Sequence, residues 1–408
     1  MRRIKLGARA ALALFLVVTT LAAVLTGCEI VHVGGGRNTS TTTASLTPGN
    51  TAAVTTQSVS IDQYLTPDIP SDAGTYAYVA RVASPSVVSI TTEAIVYNQY
   101  YGSYIESGAG SGVILYVDKE AGYTYIVTNH HVVEGYSTIT VYPYDSNGGY
   151  AAEVCGSDWL TDIAVVRIKA TGFTAASIGN SQQLVLGQEV AAIGNPLGLL
   201  GGTVTNGIIS CLARTIEVEG ISMTLIQHSA GVSPGNSGGA LFNLYGQLIG
   251  IVNAKSTASG AEAIGYAIPI DLALDRAEQI IEKGYVSDTP YLGLSYSQET
   301  LSGLVISGYE FNSELSAASQ DTLAAGDILV SLNGEDVTSA ASVRKILSKC
   351  KVGDVIVAQI KRKTGTQVGP FVSYANFTVN LKIHSYGGDT APAPSDTLPP
   401  SDGEMEFS

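Results

Sequence analysis

The chain has 408 residues, 45% of them hydrophobic, which is enough apolar material for two or three domains. It carries 21 Lys and Arg against 35 Asp and Glu, for a formal net charge of −14. Because nucleic-acid binding depends on basic side chains that neutralise phosphates, this balance excludes DNA and RNA as expected partners. The four cysteines and five histidines have no metal-ligand spacing, so we predict neither a metal nor an organic cofactor.

Residues 1–28 have the layout of an export signal. The first nine residues contain four basic residues and no acid, and a mostly apolar run of sixteen, residues 10–25, follows. This run is shorter than the roughly 20 residues that cross a bilayer as a helix. Cys28 follows small residues as in a bacterial lipoprotein signal, so we predict that it carries a lipid and anchors an extracytoplasmic protein to the membrane of the cell envelope. An uncleaved helix and plain secretion stay open as alternatives.

The rest of the chain divides by composition into four parts. Residues 29–75 are rich in Ser, Thr, Gly and Ala and predict a flexible tether. In residues 76–285, short Val, Ile, Leu and Tyr runs are broken by Gly, Asn and Pro, which indicates an all-β domain. Residues 286–384 mix strands with a helix and predict a smaller α+β domain. Residues 385–408 predict a disordered tail.

Two helices stand out from the strand patterns by their apolar spacing. The first lies near the end of residues 76–285, where we expect Asp271 to cap its start and Gly284 to end it. The second covers residues 343–347, with the polar Ser339 suited to cap its start. The spacing therefore predicts one helix near the end of the first domain and a second helix within the smaller domain.

The strongest local signal is a serine placed between glycines. Within residues 233–241, Ser237 follows Gly235 and Asn236 and precedes two further glycines. Glycines permit backbone conformations that other residues resist, and a nucleophilic serine needs backbone amides aimed at the oxyanion that its attack creates. We predict that Ser237 is a nucleophile and that the amides of Gly235 and Ser237 form the oxyanion hole. An ordinary turn between strands explains the same run if it is taken alone.

A histidine and an aspartate upstream of this serine favour the catalytic interpretation. His131 ends one predicted strand, and Asp162 opens another. The order His, Asp, Ser is the trypsin-like order, with His131 as general base and Asp162 as the acid that orients its imidazole. The α/β-hydrolase order would need a histidine after the serine, and the only candidate is His384, beside the predicted tail.

Several segments together resemble the HtrA/Deg family of envelope proteases across residues 76–383. Besides the run around Ser237 they are residues 128–133, 161–165, 194–198, 203–210 and 265–269. The resemblance implies a mainly β fold: two six-stranded antiparallel β-barrels of the trypsin type with the site in the cleft between them, then one α+β PDZ domain. His228 and Ser229 depart from the family, which commonly has Thr-Asp there. His130, where the family often has Asn or Ala, is a second candidate base, and motif alignment favours His131.

The resemblance also implies a function. It implies a serine endopeptidase of the cell envelope that cleaves misfolded or unstructured polypeptides without a cofactor. It further implies homotrimers formed through a segment around residues 76–82, although the pattern of this chain does not itself indicate one. The alternative is a chaperone or peptide sensor of the same fold in which proteolysis is dormant.

The smaller domain contains a candidate peptide-binding loop. The run Tyr291-Leu292-Gly293-Leu294 resembles the carboxylate-binding loop of PDZ domains. The amides of Leu292, Gly293 and Leu294 would hold the terminal carboxylate of a peptide, whose backbone would add to a sheet edge beside the second predicted helix. An ordinary turn is the alternative.

Overall fold

Six strands form a closed antiparallel barrel in the computed structural model. They are β1 Val87–Asn98, β2 Gly102–Asp118, β3 Tyr123–Thr128, β4 Thr138–Tyr142, β5 Tyr150–Asp158 and β6 Ile163–Ile168. Their order is β1-β2-β3-β6-β5-β4, and β4 closes the barrel by pairing with β1. The buried core contains Val88, Ile90, Ile114, Ile126, Val141 and Val166. These side chains recur at every second position of their strands, as a barrel interior requires.

The structure describes residues 74–98, 102–144, 146, 148–194, 202–233, 235–254, 264–309, 323–368 and 371–385. Every described residue belongs to one compact unit. The predicted export signal 1–28 with Cys28, most of the predicted tether 29–75 and the predicted tail from residue 386 lie outside the described residues. Within the described ranges, no helix has the length and apolarity to cross a membrane.

A second barrel follows the first. Its strands are β7 Ser177–Ile178, β8 Glu189–Gly194, β9 Thr203–Val218, β10 Ile221–His228, β11 Ala240–Asn243, β12 Gln247–Val252 and β13 Gly265–Pro269. Six of them run in the order β11-β8-β9-β10-β13-β12, and a pairing between β11 and β12 closes the ring. The short β7 adds to β12 in parallel. The prediction of two six-stranded barrels is therefore confirmed, with one additional strand.

The described helices lie before or between the strands. They are α1 Tyr76–Ala83, α2 His130–Val133, α3 Ile270–Lys283 and α4 Ala340–Leu347, with 3-10 turns at Ser84–Ser86 and Ser181–Gln183. In α3, Gly284 ends the helix in a left-handed conformation, as predicted. The prediction that Asp271 caps its start is wrong, because Pro269 holds that position. The Asp271 carboxylate accepts the backbone N–H of Ser181 over 2.9 Å instead.

The C-terminal region is the predicted α+β PDZ domain. Its strands are β14 Pro290–Tyr291, β15 Leu294–Thr300, β16 Gly303–Tyr309, β17 Ile328–Leu332, β18 Glu335–Asp336, β19 Val355–Val368, β20 Phe371–Lys382 and β21 His384–Ser385. The main sheet has the order β15-β16-β17-β19-β20, so β15 is an edge strand, while β14 pairs with β21. Helix α4 starts with a capping box in which Ser339 and Ser342 bond each other's backbone, as the polar residue before the helix predicted.

Candidate active site

The first part of the site is a histidine and an aspartate joined by two hydrogen bonds. His131 lies in α2, directly after β3, and Asp162 lies in the turn between β5 and β6. Nδ1 of His131 lies 2.8 Å from Oδ2 of Asp162, and the backbone N–H of His131 donates to Oδ1 over 3.0 Å. The carboxylate therefore orients both the ring and the main chain of His131, which leaves Nε2 as the ring atom available for proton transfer.

The backbone of Asp162 adopts an uncommon conformation. Its φ is 58°, in the left-handed region that residues other than glycine seldom occupy. Its carbonyl oxygen accepts the side-chain amide of Asn129 over 3.0 Å and the N–H of His130 over 3.2 Å. Such conformations persist where the surroundings over-determine them. The turn that carries Asp162 is thus bonded to the residues that immediately precede His131.

A further contact to Asp162 comes from Asn253, which no sequence pattern singles out. Nδ2 of Asn253 donates to Oδ2 of Asp162 over 2.9 Å, and Asn253 is fully buried. The backbone N–H of Asn253 in turn donates to the carbonyl of Tyr266 over 2.9 Å. Because 91 residues separate Asn253 from Asp162, only the fold brings them together. A polar residue directly after the buried strand β12 was the one available signal.

The segment around Ser237 is hydrogen-bonded to Ser111 of β2, beside the end of β3. The backbone N–H of Ser111 donates to the carbonyl of Ser237 over 2.8 Å, and the Ser111 hydroxyl donates to the carbonyl of Gly235 over 2.7 Å. Thr128 completes the link, because its hydroxyl donates to the carbonyl of Ser111 over 2.7 Å. Gly238 has a φ of 79°, and a Cβ there would overlap Ser111 and Thr128. The glycine after Ser237 thus allows the segment to approach the strand that leads to His131.

The backbone amides of this segment fall into two groups. The N–H groups of Asn236, Gly238 and Gly239 donate to backbone carbonyls over 2.9–3.0 Å. Within the described ranges, the amides of Gly235 and Ser237 donate to no carbonyl. These are the two amides predicted to hold an oxyanion. In the same described part of the chain, the Ser237 hydroxyl and the His131 ring form no hydrogen bond, a common feature of unliganded catalytic sites.

Comparison with known proteins identifies the family. Residues 110–251 match the family described as trypsin-like peptidase domain, and residues 290–368 match the family described as PDZ domain. "Serine protease Do-like HtrB" of Bacillus subtilis is 37% identical over 344 residues, which cover 76% of this chain and 72% of that protein. The chain belongs to the HtrA/Do-like family of serine proteases. It is a serine endopeptidase with a PDZ domain.

Two further members of this family show how far the likeness extends. "Serine protease Do-like HtrA" of Bacillus subtilis is 38% identical over 312 residues and covers 68% of each chain. "Probable periplasmic serine endoprotease DegP-like" of Halomonas elongata is 35% identical over 297 residues, which cover 70% of this chain and 60% of that protein. Both aligned stretches are therefore longer than the segment 110–251 that matches the peptidase family.

The side chains of the other candidate bases have different partners. His130 is buried, with Nδ1 2.9 Å from the Ser157 hydroxyl and Nε2 3.4 Å from the carboxylate of Glu134. His384 lies in β21 and pairs with Tyr291 of the PDZ domain. The sheets are antiparallel except at the β7–β12 pair, so the α/β-hydrolase alternative, which requires a parallel sheet, does not apply.

The two residues that depart from the family motif have different surroundings. The hydroxyl of Ser229 accepts the backbone N–H of Ile208 over 2.9 Å, so the position keeps a hydrogen-bond acceptor without an acid. His228 is fully buried in β10 opposite Gly265. Burial lowers the pKa of His228 to about 4, against a smaller opposing effect of the backbone of Tyr266 and Ala230.

The PDZ loop lies where β14 leads into the edge strand β15. Leu292 and Leu294 are buried, and Gly293 between them has a left-handed φ of 67°. Helix α4 lies beside this edge, since the N–H of Ala340 donates to Glu299 of β15 over 3.2 Å. An open strand edge next to a helix is the arrangement in which a peptide can add to a sheet.

Proposed function

We propose that this endopeptidase cleaves misfolded or unstructured polypeptides outside the cytoplasm, with Ser237 as nucleophile, His131 as general base and Asp162 as the orienting acid. The observation that carries the proposal is the hydrogen-bonded pair of His131 and Asp162, with the Ser237 segment bonded to Ser111 of β2, whose carbonyl accepts a hydrogen bond from the end of β3. A sequence relative with "periplasmic" in its name supports the location.

The mechanism follows from the roles of these groups. The Nδ1–H of His131 donates to Asp162, so neutral Nε2 accepts the proton of the Ser237 hydroxyl as its oxygen attacks the peptide carbonyl carbon. The amides of Gly235 and Ser237 stabilise the negative oxygen of the tetrahedral intermediate. His131 returns the proton to the departing amine, which leaves an acyl group on Ser237. Water, deprotonated by the same imidazole, then hydrolyses this ester.

The PDZ domain is proposed to bind the C-termini of peptides. The amides of Leu292, Gly293 and Leu294 would hold the terminal carboxylate, and the peptide backbone would pair with the edge of β15. Bound peptides would bring substrate to the peptidase domain or shift it between resting and active forms. Fluorescence anisotropy with a labelled peptide tests this role, because amidation of the C-terminus should abolish binding if the carboxylate is the recognised group.

The anchor and the assembly state are further parts of the proposal. Cys28 would carry a lipid that holds the protein at the membrane, and Cys28→Ser should then remove a shift in gel mobility. The segment 76–82 would mediate a homotrimer, as the family resemblance implies. Light scattering on the protein without residues 1–28 measures its mass directly, and a mass of one chain would contradict the trimer.

A casein digestion assay tests the central assignment. Ser237→Ala should abolish cleavage without unfolding the protein, whereas Ser210→Ala, at an exposed serine of β9, should leave it intact. His131→Ala should likewise abolish cleavage, whereas His384→Ala should not. Retained cleavage by Ser237→Ala, or loss of cleavage in His384→Ala alone, would contradict the assignment.

A dormant chaperone or peptide sensor of the same fold is the second candidate. Among the described residues Ser237 and His131 form no hydrogen bond, which is common in unliganded active enzymes too, so measured activity decides between the two functions. Undetectable cleavage by the wild type, together with suppression of aggregation of an unfolded protein that Ser237→Ala retains, would support this second function.

A further inference from the structure

A small cavity opens beside the pair of His131 and Asp162. Its volume is about 40 Å³, and both residues contribute to its wall. The floor is apolar, with Trp159, Ile221 and Met223 exposed by only 6–9% of their surfaces. One water molecule needs about 10–15 Å³ by the same measure, so the cavity has room for roughly three heavy atoms. This is the size of a valine side chain.

The hairpin of β9 and β10 supplies one wall of the cavity. Val218 pairs with Ile221 across a two-residue turn. The turn residues Glu219 and Gly220 have φ values of 52° and 85°, both left-handed, as in the tight turns that match the twist of a hairpin. This wall is therefore a short, well-defined turn rather than a long loop.

The opposite wall comes from the PDZ domain, through Ala341 and Arg344 of α4. The guanidinium of Arg344 forms an ion pair with Glu134, which directly follows α2 and its His131. Hydrogen bonds from His130 and Arg344 hold the pKa of the Glu134 carboxyl well below its usual range, although burial raises it. A second link joins Lys345 to Glu217 of β9 over 3.4 Å. Helix α4 is thus tied to both sides of the cavity.

We propose that the cavity is a subsite for an aliphatic side chain of the substrate, and that the PDZ helix, through Ala341 and Arg344, helps to select that side chain. The inference rests on the proposed function. A polypeptide must lie across His131 to be cleaved, so a side chain near its scissile bond reaches the adjacent cavity. The floor favours an apolar group, and the paired charges of Arg344 and Glu134 at the mouth add little net charge.

The subsite predicts that a substitution in the PDZ domain changes the side-chain selectivity of the peptidase domain. Recruitment of peptides by the PDZ domain alone does not predict such a change. A missing or extra methylene in an apolar pocket changes kcat/KM by about 10- to 200-fold. A larger residue at position 341 should fill the cavity from the PDZ side without altering any residue of the two barrels. A smaller residue there should enlarge the space.

The experiment measures kcat/KM on unstructured peptides that carry Gly, Val or Leu in turn at each position flanking one cleavage site. At one position, Ala341→Phe should lower the Val-to-Gly ratio of kcat/KM by about tenfold or more. Ala341→Gly should raise the Leu-to-Val ratio of kcat/KM at that position, because it enlarges the cavity without overpacking it. Ala340 and Ala341 are both exposed, but only Ala341 lines the cavity, so Ala340→Phe is the matched control and should keep both ratios within about twofold.

The outcomes separate the subsite from the proposed function. Unchanged ratios in both Ala341 variants, or an equal change in Ala340→Phe, would overturn the subsite while leaving the proposed protease function intact. Cleavage that survives in Ser237→Ala would overturn the proposed function itself. If Ala341→Phe does not fold, the Leu-to-Val ratio of Ala341→Gly decides the matter, and no rise in that ratio rejects the subsite.

Discussion

The side-chain amide of Asn253 donates to the carboxylate of Asp162 over 2.9 Å, from a position 91 residues away in the sequence. The same carboxylate oxygen, Oδ2, lies 2.8 Å from Nδ1 of His131. Asn253 therefore restrains the acid at the oxygen that orients the imidazole. We assign Asn253 as a positioning residue, because it acts through Asp162 and not on the substrate.

Asn253→Ala should lower kcat by about 10- to 100-fold, since a hydrogen bond to a charged group contributes about 1.5–3 kcal/mol. KM should change little, because Asn253 does not touch the substrate. Asn253→Ser, which keeps a donor, should recover part of the loss. Steady-state kinetics measures both constants, and thermal melts check the fold. A rise in KM with kcat unchanged would contradict the positioning role.

Gly238→Ala should destabilise the protein and remove its activity. The new Cβ would meet Ser111 and Thr128 at a left-handed φ of 79°. Gly122→Ala is the matched control, because its φ is 80° and nothing lies within 4 Å of the new Cβ. The control should lower the free energy of unfolding by about 1–2 kcal/mol through the backbone conformation alone. Gly238→Ala should lower it by several kcal/mol more, as measured by urea unfolding. Equal losses in both variants would show that the packing around Ser237 is looser than we describe.

His228 should make the folding free energy depend on pH. Its pKa is about 4 in the folded protein, against about 6.5 for an exposed histidine. Between these values the unfolded chain takes up a proton that the folded chain does not, so stability falls as the pH drops from about 6.5 to 4. The loss should reach about 3 kcal/mol. Below pH 4 both states are protonated and no further loss arises from this residue.

The matched variant for this test is His228→Thr. It removes the titrating ring and introduces the residue that the family commonly has at this position. Urea unfolding at pH 7, 5.5 and 4 gives the free energy of unfolding of the variant and of the wild type. As the pH falls from 7 to 4, the difference between them should shift by about 3 kcal/mol in favour of the variant. A difference that stays constant across this range would refute the contribution of His228.

Cys155 should react slowly with thiol reagents in the native protein. Burial raises its pKa to about 12, with Arg167 opposing the shift and Glu153 adding to it. Because the thiolate is the reactive form, alkylation at pH 8 should be more than about 100-fold slower than in urea. Mass spectrometry of the tryptic peptides gives the rate for each cysteine. Equal rates in the native and unfolded protein would contradict the raised pKa of Cys155.

The sequence predicted those features that depend on local patterns. The glycines beside Ser237, the polar cap of α4 and the order of His131, Asp162 and Ser237 could each be identified without a structure. The start of α3 was mispredicted, because Asp271 bonds the backbone of Ser181, 90 residues away, and does not cap its own helix. Local propensity cannot anticipate such a partner.

Contacts between distant segments were not predictable in the same way. The Asn253–Asp162 hydrogen bond and the ion pair of Arg344 with Glu134 join positions 91 and 210 residues apart. Both contacts depend on how strands and domains pack together. The apolar periodicity and the turn residues of a sequence indicate only local structure and do not predict that packing. For the same reason the cavity wall contributed by α4 has no counterpart in the sequence patterns.

Labelling with a fluorophosphonate probe tests the activated serine most directly, because the probe reacts with serines whose hydroxyl a neighbouring base deprotonates. Mass spectrometry should place the adduct on Ser237 in the wild type. The adduct should be absent from Ser237→Ala, and His131→Ala should form it at least about 1000-fold more slowly. An adduct on a different serine, or labelling of Ser237 at the wild-type rate in His131→Ala, would contradict the assignment of these two residues.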